Sequence, residues 1–552
     1  MTETKLPLEK FYHFEATTPD QIYLRQPHKK GWIEYSWKEV GLKARKFAQA
    51  LKNSGLNSGD SVALLSKNCA DWIIADLGIW MAGCISIPIY PTLKADTIRY
   101  ILNHSEAKVL IAGKLDDWKE QSAGVPEGIR IICFDLWPNE DATSWSSFTS
   151  SAQVTFQNHL PQAKDISTII YTSGTTGLPK GVVHTFESLS AHINLAVEIV
   201  KISSSDRFFS YLPLSHVAER LLIELGSLYS GGQVAFAESL ESFKKNIIEV
   251  KPTIFLAVPR IWQKFQQGVL AKIPQKKLRL WLKIPILKII IRKKIKKEMG
   301  LDQLRYALTG AAPISEDILR WFAEIGIPIH EVYGMTENFG IASFNQPGRI
   351  KWGTVGPIWG NTEIRISPEG EIKTRSKANM LGYFKELEKT REVLDAEGWL
   401  SSGDKGILTE EGYLKITGRV KDLFKTSKGK YISPAQLESF FSTSQIIEQV
   451  CVVGSGLEQP IALVNLSELA KKKERDYVFK ELIDLMKILN SSVENFEQLH
   501  RVIIIDEIWS IDNGFLTPTL KLKRNEIEKR YGAYFYEWVA SKDKIISWEN
   551  SN

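Results

Sequence analysis

Hydrophobic positions change period repeatedly between the start of the chain and about residue 418. Stretches with a three-to-four-residue repeat give way to short, nearly continuous apolar runs, and that alternation predicts an α/β architecture. The runs Ser61 to Leu65, Val109 to Ala112, Ile131 to Phe134, Thr168 to Tyr171, Thr253 to Ala257 and Tyr306 to Thr309 read as strands, several ending at Gly or Pro turns. Leu189, Ile193, Ala196, Val197 and Val200 fall on one helical face, which predicts one helix packed against a sheet. The longest uncharged run, Leu77 to Leu93, holds Gly78, Gly83, Pro88 and Pro91 and is short for a bilayer span, so it predicts a buried helix followed by a buried strand. Polar, glycine-bearing segments at Ser367 to Gly370 and Glu410 to Gly412 predict hairpin turns. Beyond Thr417-Gly418 the pattern restarts, with strand-like runs at Val450 to Val453 and Val502 to Ile505 between charged helical segments. The prediction is a large, multi-subdomain α/β N-terminal domain over residues 1–418 and a small α+β C-terminal domain over 419–552, with a hinge about 419–422.

The 552-residue length agrees with more than one core, and 43% hydrophobic with 24% charged residues is the composition of an ordinary globular protein. Cys69, Cys84, Cys133 and Cys451 are scattered without paired spacing, which argues against a disulfide framework or a zinc site. The residues after Met1 lead into no apolar signal-like run, and a reducing cytoplasmic setting is expected. Charge changes the picture more. Residues 276–297 hold ten Lys or Arg and no Asp or Glu, against a net charge of +6 for the whole chain, so the remainder is net negative. Leu278, Leu280, Trp281, Leu282, Ile286, Leu287, Ile289, Ile290, Ile291 and Ile295 interleave with those cations, and Pro285 kinks or divides the segment. A basic stretch with an apolar face can lie on anionic lipid at the inner face of a membrane; packing on the core with solvated lysines is the plainer alternative. No nucleic-acid motif accompanies the charge, and no nucleic-acid partner is expected.

Candidate chemistry begins at Tyr171-Thr172-Ser173-Gly174-Thr175-Thr176-Gly177-Leu178-Pro179-Lys180-Gly181, directly after a strand-like run. Glycines let backbone approach an anion and turn N–H groups inward, hydroxyls add donors, and Lys180 supplies positive charge of the kind a triphosphate needs. Pro179 stands five residues after Gly174, where a Walker A loop needs its Gly-Lys step, so this is a different phosphate loop. Further on come Gly310-Ala311-Ala312-Pro313, small residues against which a flat base could lie, and Tyr333-Gly334-Met335-Thr336-Glu337, which offers an aromatic face, a hydroxyl and a carboxylate. Ser401-Ser402-Gly403-Asp404 places a carboxylate after a tight turn, and Gly418-Arg419 follows a short distance on.

In order and spacing these segments resemble the signature motifs of the adenylate-forming (AMP-binding) superfamily. The resemblance implies a large adenylate-forming domain with a small mobile C-terminal domain, and it implies roles. Thr172, Ser173, Gly174, Thr175, Thr176 and Gly177 with Lys180 would handle phosphates; Gly310, Ala311, Ala312, Tyr333 and Gly334 would hold adenine. Thr336 would touch phosphate, Glu337 would bind Mg²⁺, Asp404 the ribose hydroxyls, and Arg419 the ribose or phosphate. Lys421 would lie at the hinge, and Lys425 would open the segment that swings in for a second half-reaction. Leu516-Thr517-Pro518-Thr519-Leu520-Lys521-Leu522-Lys523-Arg524 resembles the motif that delivers a lysine to the α-phosphate; here Leu520 stands at the usual glycine, Lys521 is the expected lysine and Lys523 the reserve. The segment Tyr211-Leu212-Pro213-Leu214-Ser215-His216-Val217-Ala218-Glu219-Arg220 and the segment Pro252 to Arg260 resemble the long-chain fatty acyl-CoA synthetase branch, in which His216 would sit beside the acyl carboxylate and the nucleotide phosphates. The expectation is an ATP- and Mg²⁺-dependent ligase joining a long-chain fatty acid to coenzyme A through acyl-AMP, cytoplasmic and peripheral to the membrane. The rival expectations are transfer to a carrier protein in place of coenzyme A, and a non-catalytic fatty acid or nucleotide binding protein.

Overall fold

The computed structural model describes residues 5–29, 31–154, 157–172, 178–441, 444–517, 521–540 and 545–549. Two eight-stranded sheets form the large N-terminal domain. One carries the strands Ser343–Phe344, Ile329–Tyr333, Tyr306–Thr309, Ile254–Leu256, Arg207–Ser210, Gln233–Phe236, Ile22–His28 and Gly31–Ser36 in that spatial order. The other runs Gly382–Tyr383, Lys180–Thr185, Ile166–Thr172, Ile85–Ile89, Ser61–Leu65, Val109–Ala112, Arg130–Cys133 and Thr143–Ser144. Their middle strands are mostly parallel, and parallel strands need both faces covered, which is why these segments read as unbroken apolar runs. All five residues of Ser61–Leu65 and of Ile85–Ile89 are buried. The uncharged run folds as expected: helix Ala70–Ala82, buried throughout, turns at Gly83 (φ 82°) into strand Ile85–Ile89.

A four-stranded antiparallel sheet, Glu363–Ile366, Glu371–Arg375, Leu400–Leu408 and Leu414–Arg419, completes the large domain, with hairpin turns at both expected places. Its last strand continues through Arg419, and the Val420 N–H donates to Gly403 O at 2.8 Å. The small domain follows, built on the mixed sheet Ile447–Val453, Ile461–Leu466, Arg501–Ile504 and Ile546–Trp548, with helices on it and two apolar clusters of its own.

One element differs from expectation. The single helix expected over Leu189 to Val200 is two, Phe186–Ser190 and Ile193–Val200, separated by a turn at residues 191 and 192. Thr185 caps the first piece, and the ring of buried His192 at the break faces Thr362 Oγ1 at 3.3 Å, a tertiary contact that no local periodicity encodes. Among the described residues no helix is long and apolar enough to cross a membrane.

Candidate active site

Strands Tyr306–Thr309 and Ile329–Tyr333 are parallel neighbours, and their carboxyl ends are where open α/β sheets bind ligands. Gly310 leaves the first of them so close to Val332 O that a Cβ would meet it at 2.9 Å, and Ala311 follows with φ 68°. Gly334 leaves the second pressed against Gly340, where a Cβ would lie 2.2 Å from the carbonyl carbon. The expected adenine-holding residues Gly310, Ala311, Ala312, Tyr333 and Gly334 therefore come together on adjacent strand ends.

Asp404 faces the same place from the antiparallel sheet. Tyr333 OH donates to its Oδ2 at 3.0 Å, and Arg419 Nε donates to its Oδ1 at 2.8 Å from the directly opposed position on the neighbouring strand. Burial and the Asp404 charge hold the Tyr333 phenol well above its ordinary pKa, so it stays a donor.

Thr172 and Lys180 end and begin opposed strands of one hairpin. The intervening Ser173, Gly174, Thr175, Thr176 and Gly177 lie outside the described residues. Lys180 Nζ stands 4.6 Å from the centroid of the Tyr383 ring, and Tyr383 OH donates to Glu337 Oε1 at 2.9 Å. Burial raises the pKa of Glu337, opposed by the Tyr383 phenol, Arg419 and Lys180. The Thr336 carbonyl faces His184 Nε2 at 2.7 Å, while the Thr336 side chain makes no hydrogen bond among the described residues. Tyr383 thus links the loop lysine to the carboxylate, a role with no local signal: Gly382–Tyr383 reaches the site by pairing with Val182 and Val183 some two hundred residues earlier in the chain.

No group of three or more metal-binding side chains exists among the described residues. One carboxylate in a cationic surrounding fits magnesium, which keeps waters and commonly binds through one or two carboxylates plus substrate phosphates.

His216 caps a short helix, and its Nδ1 accepts from the Ala218 N–H at 3.2 Å. Burial and Lys521 push its pKa down to about 3, so the ring is neutral with its proton on Nε2. The loop before it is pinned by Glu219, whose Oε1 accepts from Ser210 Oγ at 2.8 Å, Tyr211 N at 3.0 Å and Asn68 Nδ2 at 3.3 Å. Burial raises the Glu219 carboxyl to about 8.

From the small domain comes Lys521. Its N–H donates to Thr517 Oγ1 at 3.0 Å, and its carbonyl accepts from Thr517 N at 2.8 Å. The residue is exposed to solvent. Even so, desolvation and Arg419 lower its pKa, Asp404 and Glu337 oppose that shift, and it acts on His216 in turn. Lys523 is instead the residue before helix Arg524–Tyr531, with its N–H bonded to Phe515 O at 2.8 Å. Lys425 is not brought to this group: it is exposed, 5.8 Å from the Tyr431 ring.

A cross-domain ion pair accompanies this arrangement. Arg260 of the large domain binds Glu448 of the small one, with Lys264 4.0 Å from the same carboxylate. Arg260→Glu is expected to slow adenylate formation roughly two- to five-fold in single-turnover assays, the scale of a part-exposed pair. Adding Glu448→Arg should restore the rate; no recovery would mean the pair does not hold the domains together.

Residues 11–384 match the family model described as AMP-binding enzyme, and residues 421–535 match the AMP-binding enzyme C-terminal domain. Among curated proteins, the chain is 30% identical to fatty acyl-CoA synthetase A of Dictyostelium discoideum over 578 residues, covering 91% of this chain and 84% of that protein. It is 32% identical to long-chain-fatty-acid–CoA ligase 5 of Mus musculus, covering 91% of this chain and 83% of that one. Among solved structures, an anthranilate CoA ligase in complex with anthranoyl-AMP aligns with a TM-score of 0.80 at 22% identity, covering 97% of this chain and 98% of the other. The adenylation domain of a carboxylate reductase from Mycobacterium chelonae gives 0.81 at 21%, covering 97% and 91%. These two speak for the fold, a large N-terminal and a small C-terminal domain.

Proposed function

The chain belongs to the AMP-binding enzyme family, and on that premise we propose that it is an ATP-dependent ligase joining a long-chain fatty acid to coenzyme A through acyl-AMP. The observation that carries the reading is the cluster at the ends of two parallel strands, where Tyr333 and Arg419 both bind Asp404 and Tyr383 joins Glu337 to Lys180, with Lys521 of the small domain within electrostatic range of Arg419, Asp404 and Glu337. The names of the similar curated proteins support the choice of acid and of coenzyme A over a carrier protein.

In the first half-reaction the fatty carboxylate attacks the α-phosphorus and pyrophosphate leaves. Tyr333 offers its ring to adenine, and Asp404 exchanges its Tyr333 and Arg419 bonds for bonds from the ribose hydroxyls. Lys521 meets the charge that grows on the α-phosphoryl oxygens, the preorganised contact that matters most in such a step. His216 Nε2–H donates to the incoming carboxylate or phosphate without adding net charge. Glu337 is the residue that would hold a magnesium ion arriving with the triphosphate, where its charge would offset that of the phosphoryl oxygens. In the second half-reaction the small domain turns about residues 419–422, Lys521 withdraws, the segment beginning at Lys425 approaches, and the thiol attacks the acyl carbonyl with AMP as leaving group. We also place the enzyme at a membrane surface, where an insoluble acid partitions, with residues 276–297 as the contact.

The test is mass spectrometry of products from protein, ATP, Mg²⁺ and a panel of medium- to long-chain acids, with and without coenzyme A. Acyl-CoA and AMP formed only when coenzyme A is present is the expected result. Acyl-AMP that coenzyme A leaves untouched would overturn the acceptor, and no adenylate with any acid would overturn the substrate class.

A further inference from the structure

The basic segment folds as two helices, Gln275–Lys283 and Pro285–Glu298, meeting at Ile284. One side is anchored. Leu278, Ile291 and Ile295 are buried in the second apolar core of the large domain, Trp281, Leu282 and Leu287 pack against it, and Arg292 donates to Glu324 O through Nε at 2.9 Å and Nη2 at 2.6 Å. The corner between the helices is not anchored. Leu280 is 61% exposed, Ile284 49%, Ile286 74%, Ile289 69% and Ile290 55%. Five large apolar side chains stand in solvent within the eleven residues 280–290, whereas no eleven-residue stretch of described residues lying wholly outside them has more than two. Single exposed apolar residues are ordinary; a contiguous set marks a contact.

The charge around the corner says what kind. Among the described residues no Asp or Glu forms an ion pair with any of the ten cations of residues 276–297. A second copy of this chain would bring ten like charges against ten. A nucleic acid would satisfy the cations and strand the isoleucines in a polar interface. An anionic bilayer satisfies both: phosphates at the level of the ammonium groups, and acyl chains just beneath for side chains that the lysine stems let pass.

We propose that the corner Leu280–Ile290 is a membrane-insertion ridge, with Leu280, Ile284, Ile286, Ile289 and Ile290 entering the acyl layer of an anionic bilayer while the flanking lysines and arginines stay among the phosphates. The inference rests on the membrane-surface placement above and sharpens it: attraction of charge alone is screened by salt, whereas insertion is not. The buried side of the same helices ties the ridge rigidly to the core under strands Ile254–Leu256 and Tyr306–Thr309.

The experiment is flotation of the full chain, without ATP or fatty acid, on vesicles of phosphatidylcholine with phosphatidylglycerol and of phosphatidylcholine alone, at low salt and at about 1 M salt, where the Debye length is roughly 3 Å. One variant carries Leu280→Ser, Ile284→Ser, Ile286→Ser, Ile289→Ser and Ile290→Ser with every cation kept; the other carries Arg292, Lys293, Lys294, Lys296 and Lys297 all changed to Gln. The parent chain is expected to float with the anionic vesicles and to keep a measurable part of that binding at high salt. The ridge variant should bind at least tenfold less and lose the residue of binding in salt, and the Gln variant should lose its preference for anionic lipid. Adenylation of a water-soluble acid should be unchanged in the ridge variant, which shows it folded and separates failure here from failure of the ligase reading. A ridge variant that binds like the parent at both salts overturns insertion. A parent that ignores both vesicles overturns the membrane, as does a parent dimer that the ridge variant abolishes while neither binds lipid.

Discussion

Lys521→Ala is expected to lower the rate of acyl-AMP formation by roughly 10² to 10³-fold, the usual loss for one preorganised contact to developing charge, while conversion of supplied acyl-AMP to acyl-CoA stays within a few-fold of the parent. The asymmetry is the substance of the prediction. Lys521 comes within electrostatic range of Asp404, Glu337, Arg419 and His216 only because the small domain is seated as it is, and the second half-reaction is assigned to a turned small domain that has carried Lys521 out of the site. Its lowered pKa gives a further handle: desolvation and Arg419 both disfavour the ammonium, so in the free enzyme its proton is held less tightly than that of an ordinary lysine. Bound phosphates would reverse that. Adenylation by the parent should therefore lose efficiency toward alkaline pH more steeply in its dependence on free enzyme than in its rate at saturating ATP. Lys523→Ala is the control, since its backbone closes a turn and precedes a helix; a small change in both half-reactions is expected. Equal losses in the two half-reactions for Lys521→Ala would remove it from the adenylation step.

The choice between two lysines two residues apart shows where the chain's own pattern stopped being informative. Motif order pointed to Lys521 with Lys523 in reserve, because nothing in Leu520-Lys521-Leu522-Lys523 separates them. What separates them is the turn: Leu516 bridges Leu522, Thr517 takes both backbone groups of Lys521, and Lys523 is tied to Phe515. Strands were legible where they are buried on both faces, since an unbroken apolar run leaves few other readings; Ser61–Leu65, Val109–Ala112 and Tyr306–Thr309 keep their expected bounds. The helix expected through Val200 breaks at His192, whose ring faces Thr362 far along the chain. Tyr383 and Glu219 lay hidden for the same reason. Each matters through partners brought by other strands, and a tyrosine or a glutamate in isolation carries no mark of them.

Arg220 is the most consequential residue hidden in this way, and Arg220→Met is expected to destabilise the large domain by about 3–5 kcal/mol, read as a lower midpoint of denaturant unfolding. The guanidinium has 1% of its side-chain surface exposed; Nη2 binds Asp76, Nε binds Glu224 at 3.0 Å, and Nη1 donates to Thr168 Oγ1 at 2.9 Å. Trp72 and Trp80 each face it with ring centroids 5.5 Å away. Burial and Asp76 push the Glu224 carboxyl well above the ordinary carboxylate range, against the pull of Arg220. Methionine preserves much of the volume and leaves the Asp76 charge with no cation in an apolar interior, which is the costly half of any buried ion pair. Removing all three buried groups together, with Asp76→Leu, Arg220→Met and Glu224→Leu, should regain most of the lost stability, because no unpaired charge remains. It should not regain full activity. Arg220 opens the π-helical turn Arg220–Leu225 directly after the segment of His216, and through Thr168 it ties that turn to strand Ile166–Thr172. A single variant that costs under about 1 kcal/mol would show that Asp76 and Glu224 find other partners, and a triple variant restored in both stability and adenylation would show that the cluster holds the core without positioning His216.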